Sequence, residues 1–250
     1  MNKQAKHYER IHDEYQHHYF DKYSKYYRKE IIFKKIIRIL SKSDSILEVG
    51  CGGPENLNEL LKLSKKINIY HGFDISKNAV ELFNKKKSKK FKAFLGDFSE
   101  KKISVHKKYD CILFLGALHH MTNHLNETIY NCRKFLKKGG KLILIEPNSA
   151  FLNSIRNLWY KLSDKFDHEN ERALSIEEVT FLCKKNNFIN ISTTFGGNIG
   201  FFVIFNSMIL GTPKFLKYLL FKPLTSFDKL LEKFNSKYIS AFHISIWKKN

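Results

Sequence analysis

Residues 45–54 read SILEVGCGGP, an apolar run that passes directly into a glycine-rich bend. A short continuous apolar run predicts a strand buried on both faces of a sheet. Gly50 and Gly52 allow the chain to turn sharply and let a ligand approach the backbone closely. A helix is predicted at 55–64, where leucines recur at helical spacing. The segment therefore predicts a strand, a bend and a helix of an α/β fold.

The same alternation of apolar runs and helical stretches continues along the chain, as in βα units that build a parallel sheet. Further strands are predicted at 68–73, 91–95, 110–115, 141–146, 188–194 and 241–247, and further helices at 77–86, 126–136 and 176–186. Residues 137–140, KKGG, are predicted to form the turn into the strand at 141–146. We expect a doubly wound, Rossmann-like, seven-stranded and mostly parallel sheet with helices on both faces.

One domain is expected for residues 1–250, because no proline-rich or glycine-rich break divides the chain. Residues 1–43 are rich in tyrosine and predict a helical lid over the ligand site, with packing of an aromatic helix on the sheet as the alternative. We expect residues 44–148 to form the ligand-binding core. Residues 149–250 are expected to form the substrate side, with an apolar insertion at 196–240 before the last strand.

The charge is strongly positive, with 44 Lys and Arg against 24 Asp and Glu and a net charge of +20. Such a charge can attract nucleic acid or an anionic membrane. Only six of the basic residues are arginine, which phosphate and base recognition favour. The abundant lysine, asparagine, isoleucine and phenylalanine are typical of proteins encoded by AT-rich genomes. We therefore do not expect nucleic acid as the partner.

The sequence predicts a cytoplasmic protein, since it has no apolar run of about 18 residues and its first residues are polar. Contact with a membrane surface would then be peripheral. The cysteines are widely separated, so we expect reduced thiols and no metal site built from Cys-x-x-Cys. They are Cys51, Cys111, Cys132 and Cys183.

The glycine bend does not match the common nucleotide-binding motifs. A phosphate-binding loop would end in Gly-Lys-Ser/Thr, and a dinucleotide fingerprint would have glycine where Glu55 stands. Two carboxylates flank the bend in the predicted fold. Glu48 precedes it, where it can meet a cationic amino group, and Asp74 ends the second strand, where it can accept the hydroxyls of a ribose. The pattern indicates an aminoacyl nucleoside.

Residues 46–52, ILEVGCG, resemble the first motif of class I methyltransferases that depend on S-adenosylmethionine (SAM). Residues 72–76, 96–98, 109–120 and 136–148 are similar to the later motifs of that family, in the same order and spacing. A weaker similarity follows at 174–188. The resemblance implies SAM as cofactor and, in the small-molecule branch of the family, acceptors such as those of quinone and glycan biosynthesis.

Carried over by position, the resemblance implies that Glu48 holds the ammonium group of SAM, that Asp74 binds the ribose, and that Asp97 with the backbone of Phe98 recognises the adenine. The cofactor-binding residues that it implies are Glu48, Gly50, Cys51, Gly52, Asp74, Ile75, Asp97, Phe98 and Leu115. Pro54 departs from the family, which often has a third glycine there. Proline is nevertheless favoured at the first position of a helix.

Methyl transfer from a sulfonium is an in-line displacement, so the enzyme mainly orients the reactants and supplies a deprotonated acceptor. His119 and His120 follow the fourth strand and are the predicted catalytic residues, with the pKa range of a general base. The alternative is that they only shape the pocket. His168, beside Glu169, is a further candidate. No metal site is predicted.

We expect transfer to a small, hydrophobic, lipid- or glycan-linked acceptor, at oxygen. The apolar run at 199–210, with its neighbouring lysines, is predicted to lie in a membrane interface or to cover a lipid-sized pocket. The alternative is a cap that packs on the domain. One alternative function is an RNA methyltransferase, although no Asn-Pro-Pro-Tyr-like tetrad stands at 115–118. Another is a binding module without turnover, for which Pro54 is the only support.

Overall fold

The computed structural model describes residues 10, 17–101, 103, 107–153 and 171–250. Its strands are β1 (Ser45–Val49), β2 (Ile69–Asp74), β3 (Phe91–Leu95), β4 (Tyr109–Leu115), β5 (Leu136–Pro147), β6 (Phe188–Gly196) and β7 (Phe242–Lys249). Its α-helices are α1 (Lys22–Arg28), α2 (Lys34–Leu40), α3 (Glu55–Leu63), α4 (Lys77–Asn84), α5 (Leu125–Phe135), α6 (Ile176–Lys185) and α7 (Lys214–Leu231). A π-helical turn, Lys29–Phe33, joins α1 to α2, and a second one, Phe201–Phe205, follows β6.

The strands form one seven-stranded sheet in the order β3-β2-β1-β4-β5-β7-β6. The first five strands pair in parallel, and β7 runs antiparallel to both β5 and β6. The predicted mostly parallel, seven-stranded sheet is confirmed. Strand order reverses between β1 and β4, and in such sheets the ligand crevice opens there, beyond the carboxyl ends of the strands.

The predicted turn at 137–140 is wrong, because these residues lie inside β5. Leu136 pairs with Tyr109 of β4, and the next paired residues are Lys141 and Cys111. The residues between them form a bulge, in which Gly139 has φ of +71°. A bulge places extra residues in one strand without ending its pairing, so the two glycines bend the strand here instead of separating a helix from a strand.

Apolar side chains cover both faces of the sheet. One face packs against the N-terminal helices, α3 and the turn Phe201–Phe205, and the other packs against α5 and α6. Every residue of β1 is buried, as expected for a central parallel strand. Helices therefore cover both faces of the sheet, and a ligand site can form only at the ends of the strands.

The described part of the N-terminal segment packs in the core. Tyr27, Ile31 and Phe33 have no exposed surface. Of the two alternatives for this segment, packing on the sheet therefore describes α1 and α2. Tyr8 and Tyr15, which also belong to the predicted lid, lie outside the described residues.

Helix α7 belongs to the insertion, and two of its buried charged side chains hold it against the N-terminal segment and against residues 201–207. The hydroxyl of Tyr27 donates to Asp228 at 2.6 Å, and Asp228 also accepts the backbone N–H of Phe201 at 3.1 Å. Lys217 donates to the hydroxyls of Ser24 and Ser207 at 2.8 and 2.9 Å. Because a buried charge is costly unless it is hydrogen-bonded, these contacts hold the insertion on the domain.

The opposite side of α7 is exposed and combines apolar with basic residues. We call this surface the outer face of α7; it consists of Phe215, Tyr218, Leu219, Lys222 and Leu230 of the helix, together with Lys233 in the 3-10 turn Glu232–Phe234 that follows it. Phe215 is 67% exposed, and Tyr218 and Leu219 are each 60% exposed. Among the described helices, none combines the length and apolar character that crossing a membrane requires.

Candidate active site

The glycine bend after β1 contacts the loop after β4. Gly50 has φ of +67°, and a Cβ added to it would lie 2.5 Å from the Cβ of Ala117. Its N–H donates to the carbonyl of Phe73 in β2 at 2.8 Å. A side chain at Gly50 would therefore push apart the loops that meet at the strand-order reversal.

Gly52 leaves open space in the same bend. Its φ is +57°, and a Cβ added there would meet no atom within 4 Å. Pro54 follows, and its carbonyl accepts the N–H of Asn58 at 2.9 Å in the first turn of α3. The departure at Pro54 is thus compatible with the helix start, and the bend keeps an open backbone edge at Gly52.

Asp74 ends β2 and ties it to the bend. One carboxylate oxygen accepts the N–H of Gly52 at 2.8 Å, and the other accepts the N–H of Ser76 at 2.9 Å. Ile75, between Asp74 and Ser76, is half-buried. The structure therefore places Asp74, the predicted ribose-binding residue, beside the open edge at Gly52.

Asp97 and Phe98 follow β3, next to β2 in the sheet. A carboxylate oxygen of Asp97 accepts the N–H and the hydroxyl of Ser99 at 2.8 and 2.6 Å. The ring of Phe98 is 1% exposed and packs against Phe73 and Phe114. The side chain of Phe98 belongs to the core, which leaves its backbone for the adenine contact that the resemblance implies.

Glu48 is fully buried, and both of its carboxylate oxygens accept hydrogen bonds from side chains. Asn56 and Tyr70 donate to them, each at 2.7 Å, and Arg28 donates to the amide oxygen of Asn56 at 2.6 Å. Burial raises the pKa of Glu48 to about 7, although Tyr70, Asn56 and Arg28 act in the opposite direction. Its contact with the ammonium group of SAM remains a prediction.

Sequence reasoning missed this network. Arg28 is 2% exposed and stacks on Phe20 and Phe205, at 4.5 and 5.1 Å from their ring centroids. Its link to Glu48 through Asn56 joins the N-terminal segment to the end of β1. No local spacing reveals such a link, since the partners come from separate segments of the chain.

The predicted catalytic histidines lie in a cluster with two glutamates, which we call the His–Glu cluster: His119, His120, Glu146 and Glu171. Glu146, near the end of β5, is fully buried and lies 2.7 Å from Nδ1 of His119. It also accepts the backbone N–H of Leu118 at 2.9 Å. Glu146 therefore orients the loop after β4 together with the imidazole of His119.

Glu171 closes the cluster from another segment of the chain. Its carboxylate oxygens lie 3.6 Å from Nε2 of His119 and 3.4 Å from Nδ1 of His120. The two imidazole rings are 3.8 Å apart, centroid to centroid. Glu171 was not predicted, because only the tertiary fold brings it to the histidines. His168 and Glu169 lie outside the described residues.

The two carboxylates set the protonation of His119. Burial alone would lower the pKa of His119, but Glu146 and Glu171 outweigh it and raise that pKa to about 9. Burial tends to raise the pKa of each carboxyl, and the neighbouring histidines more than offset this effect, so the pKa values of Glu146 and Glu171 lie below the usual range. The two carboxylates therefore favour the positively charged form of His119 over the neutral one.

Three further residues adjoin the His–Glu cluster along the chain or across the sheet. Leu115 is half-buried at the end of β4, and Gly116 after it has φ of +69°. His243 pairs in register with Glu146 across β5 and β7, and its ring nitrogens have no hydrogen-bond partner among the described residues. Burial lowers the pKa of His243 to about 4, which the charge of Glu146 only partly offsets, so His243 is neutral.

Comparison with known structures gives many relatives of this fold. A SAM-dependent methyltransferase from Archaeoglobus fulgidus has a TM-score of 0.64 and 16% identity, with 95% of this chain and 99% of that one covered. One from Thermotoga maritima has a TM-score of 0.62 and 17% identity, with 98% of each chain covered. The O-methyltransferase of a trans-AT PKS multienzyme of Brevibacillus brevis, solved with S-adenosyl-L-homocysteine, has a TM-score of 0.55 and 17% identity over 88% of this chain and 72% of that one.

At the level of sequence, no curated protein matches the chain. A family model described as a methyltransferase domain does match it, over residues 15–193. The matched region includes the glycine bend, the carboxylates at the strand ends and the His–Glu cluster. The chain therefore belongs to the methyltransferase domain family, within the class I fold of SAM-dependent enzymes.

Proposed function

We propose that this enzyme transfers a methyl group from SAM to an oxygen atom of a hydrophobic, lipid- or glycan-linked acceptor. Bound SAM would supply a methyl group on a positively charged sulfur, a good leaving group. The residues of the chain then have two tasks, to hold the cofactor in line with the acceptor and to manage the proton of the acceptor hydroxyl.

The bend after β1 and the ends of β2 and β3 fit the cofactor. Gly52 leaves its backbone edge open, and Asp74 is fixed beside it by two backbone N–H donors. The carboxylate of Asp74 would accept the ribose hydroxyls, and Asp97 with the backbone of Phe98 would meet the adenine. Cys51 is buried in the bend, so it would shape the site through its backbone and its volume.

The His–Glu cluster is the observation that carries the choice of an oxygen acceptor. It follows β4, where Ala117 contacts the glycine bend, so it adjoins the cofactor side of the crevice. His119 is held between two carboxylates, so it would orient the acceptor. His120 is 21% exposed at its side chain and would receive the hydroxyl proton. Of the two histidines predicted as candidate general bases, this division of roles makes His120 the base.

The outer face of α7 supports a lipid-linked acceptor. Exposed Phe215, Tyr218 and Leu219 stand on the same side as Lys222 and Lys233. A helix with aromatic and aliphatic residues among lysines suits the interface of an anionic membrane. Peripheral contact through this face would bring the enzyme to an acceptor held in the membrane.

A transfer assay with SAM labelled in its methyl group tests the proposal. Purified enzyme is incubated with hydrophobic phenols, with a total lipid extract and with total RNA, and the label is measured in each. We expect label in the phenol or lipid fraction, and a large loss of turnover in His120→Ala, since a general base contributes about 10² to 10⁴-fold. Label in RNA alone, or on nitrogen rather than oxygen, would contradict the proposal.

A further inference from the structure

We propose that His119, His120 and Glu171 bind a divalent transition-metal ion, with Glu146 as the positioning residue of His119. The nearest ligand atoms of the three residues lie within 4.8 Å of one another. The proposal that these residues bind a metal rests on the geometry of the cluster alone. The role given to the ion below, activation of an acceptor hydroxyl, rests on the proposed function.

The distances fit an ion held by these side chains. Zn²⁺ binds imidazole nitrogen and carboxylate oxygen at about 2.0–2.2 Å, so tetrahedral ligand atoms stand about 3.4 Å apart. In the cluster, Glu171 lies 3.6 Å from Nε2 of His119 and 3.4 Å from Nδ1 of His120. Small rotations of these side chains would therefore complete the site.

The donor set also selects the class of ion. Two imidazoles and one carboxylate suit Zn²⁺, Mn²⁺, Fe²⁺ or Ni²⁺, whereas Mg²⁺ and Ca²⁺ prefer oxygen ligands. The cluster holds no thiolate, and the four cysteines are buried elsewhere as free thiols. Three protein ligands leave a fourth position for water or substrate, as in catalytic zinc sites.

Glu146 provides the second, independent observation. Metal-binding histidines usually donate their other ring N–H to a carboxylate or carbonyl, which fixes the tautomer and the ring orientation. Glu146, with no exposed surface, lies 2.7 Å from Nδ1 of His119 and is itself held by the N–H of Ala117 at 3.1 Å. This leaves Nε2 of His119 on the side of Glu171, where the ion would take the place of the proton that the two carboxylates favour.

The open position of the ion would take the oxygen of the acceptor hydroxyl. Coordination to a divalent ion lowers the pKa of a bound O–H group. The metal–oxygen bond would form as the O–H bond breaks, and the proton would pass to solvent water. The ion would then perform the task that the proposed function otherwise assigns to His120.

Isothermal titration of chelator-treated, full-length protein with Zn²⁺ tests the site. We expect one ion per chain, weak binding of Mg²⁺ in a parallel titration, and a loss of Zn²⁺ affinity of more than 100-fold in the double variant His120→Ala, Glu171→Gln. Glu146→Gln should lose about 10 to 100-fold. His124→Ala, at an exposed histidine outside the cluster, is the matched control and should bind as the wild type does.

An absence of Zn²⁺ binding by the wild type, or equal binding by the double variant, would overturn the proposal. Should the double variant fail to fold, X-ray absorption of the Zn²⁺-loaded wild type replaces it: imidazole and oxygen ligands support the site, and sulfur ligands overturn it. Unchanged turnover after chelation would overturn the catalytic role. A different result would contradict the proposed function alone: Zn²⁺ binds at this cluster, but no acceptor oxygen is methylated.

Discussion

Asp74 at the end of β2 accepts the backbone N–H of Gly52 at 2.8 Å, so the carboxylate that is predicted to bind the ribose also fixes the bend that is predicted to contact SAM. If Asp74 binds the ribose as predicted, cofactor affinity and the order of the bend depend on the same side chain. Variants at these two positions separate the two effects.

Asp74→Ala should weaken SAM binding at least tenfold, because a buried ribose would lose a charge-assisted partner worth roughly 1.5–3 kcal/mol. Calorimetric titration with SAM measures the change. Asp74→Asn is the matched control, since an amide oxygen can still accept the N–H of Gly52 and should retain more affinity. An affinity equal to that of the wild type in Asp74→Ala would exclude the ribose contact.

Gly52→Ala tests whether a ligand approaches the bend. Gly52 and Gly211 both have positive φ, of +57° and +59°, and at both an added Cβ would meet no protein atom within 4 Å. Each alanine should therefore cost a similar strain of about 1–2 kcal/mol in thermal unfolding. Only Gly52→Ala should also reduce SAM affinity. If the two variants bind SAM equally well, the cofactor does not contact Gly52.

Glu48 should make stability depend on pH. Burial raises its pKa in the folded protein to about 7, above its ordinary value of 4.5. The folded state then holds a proton that the unfolded state releases between pH 4.5 and 7. The contribution is complete below about pH 4.5 and is lost as the pH rises through about 7, by up to roughly 3 kcal/mol.

Urea unfolding of the wild type and of Glu48→Gln across this range measures the effect. The glutamine variant does not titrate, so the difference between the two curves isolates Glu48 from other groups. We expect the wild type to lose stability relative to the variant as the pH rises from 4.5 to 7. Parallel curves would show that Glu48 does not change its protonation on unfolding.

The outer face of α7 should bind anionic vesicles. Phe215→Ser with Leu219→Ser should abolish most flotation with phosphatidylserine vesicles, because both side chains would insert at the interface. Point variants are preferable to deletion of the insertion, since Lys217 and Asp228 hold it on the core. Phe181→Ser with Ile189→Ser, at exposed apolar residues of α6 and β6, is the matched control.

High salt should weaken flotation of the wild type, because lysines contribute to the attraction. Equal flotation of the two double variants would remove the outer face of α7 as the membrane contact. Flotation with neutral vesicles but not with anionic ones would exclude an electrostatic contribution to membrane binding.

The positions of most candidate site residues in the fold could be predicted from the sequence because these residues follow strands directly. A glycine bend, Asp74 and Asp97 each stand at the end of an apolar run, and parallel strands bring their carboxyl ends to one edge. The same reasoning gave a wrong prediction at residues 137–140, KKGG, where a turn was expected. Paired glycines favour a turn locally, but pairing with β4 continues on both sides of them and makes a bulge.

The amino-acid sequence by itself determined the order of strands and helices, the bend at Gly50 and Gly52 and the position of the histidines, since these depend on local periodicity and backbone freedom. Only the tertiary structure decided which distant groups meet. Glu171 beside His119 and His120, Arg28 linked to Glu48 through Asn56, and the two sides of α7 all depend on how separate segments pack. Burial and neighbouring charge then set what these groups can do, and neither is a property of local sequence.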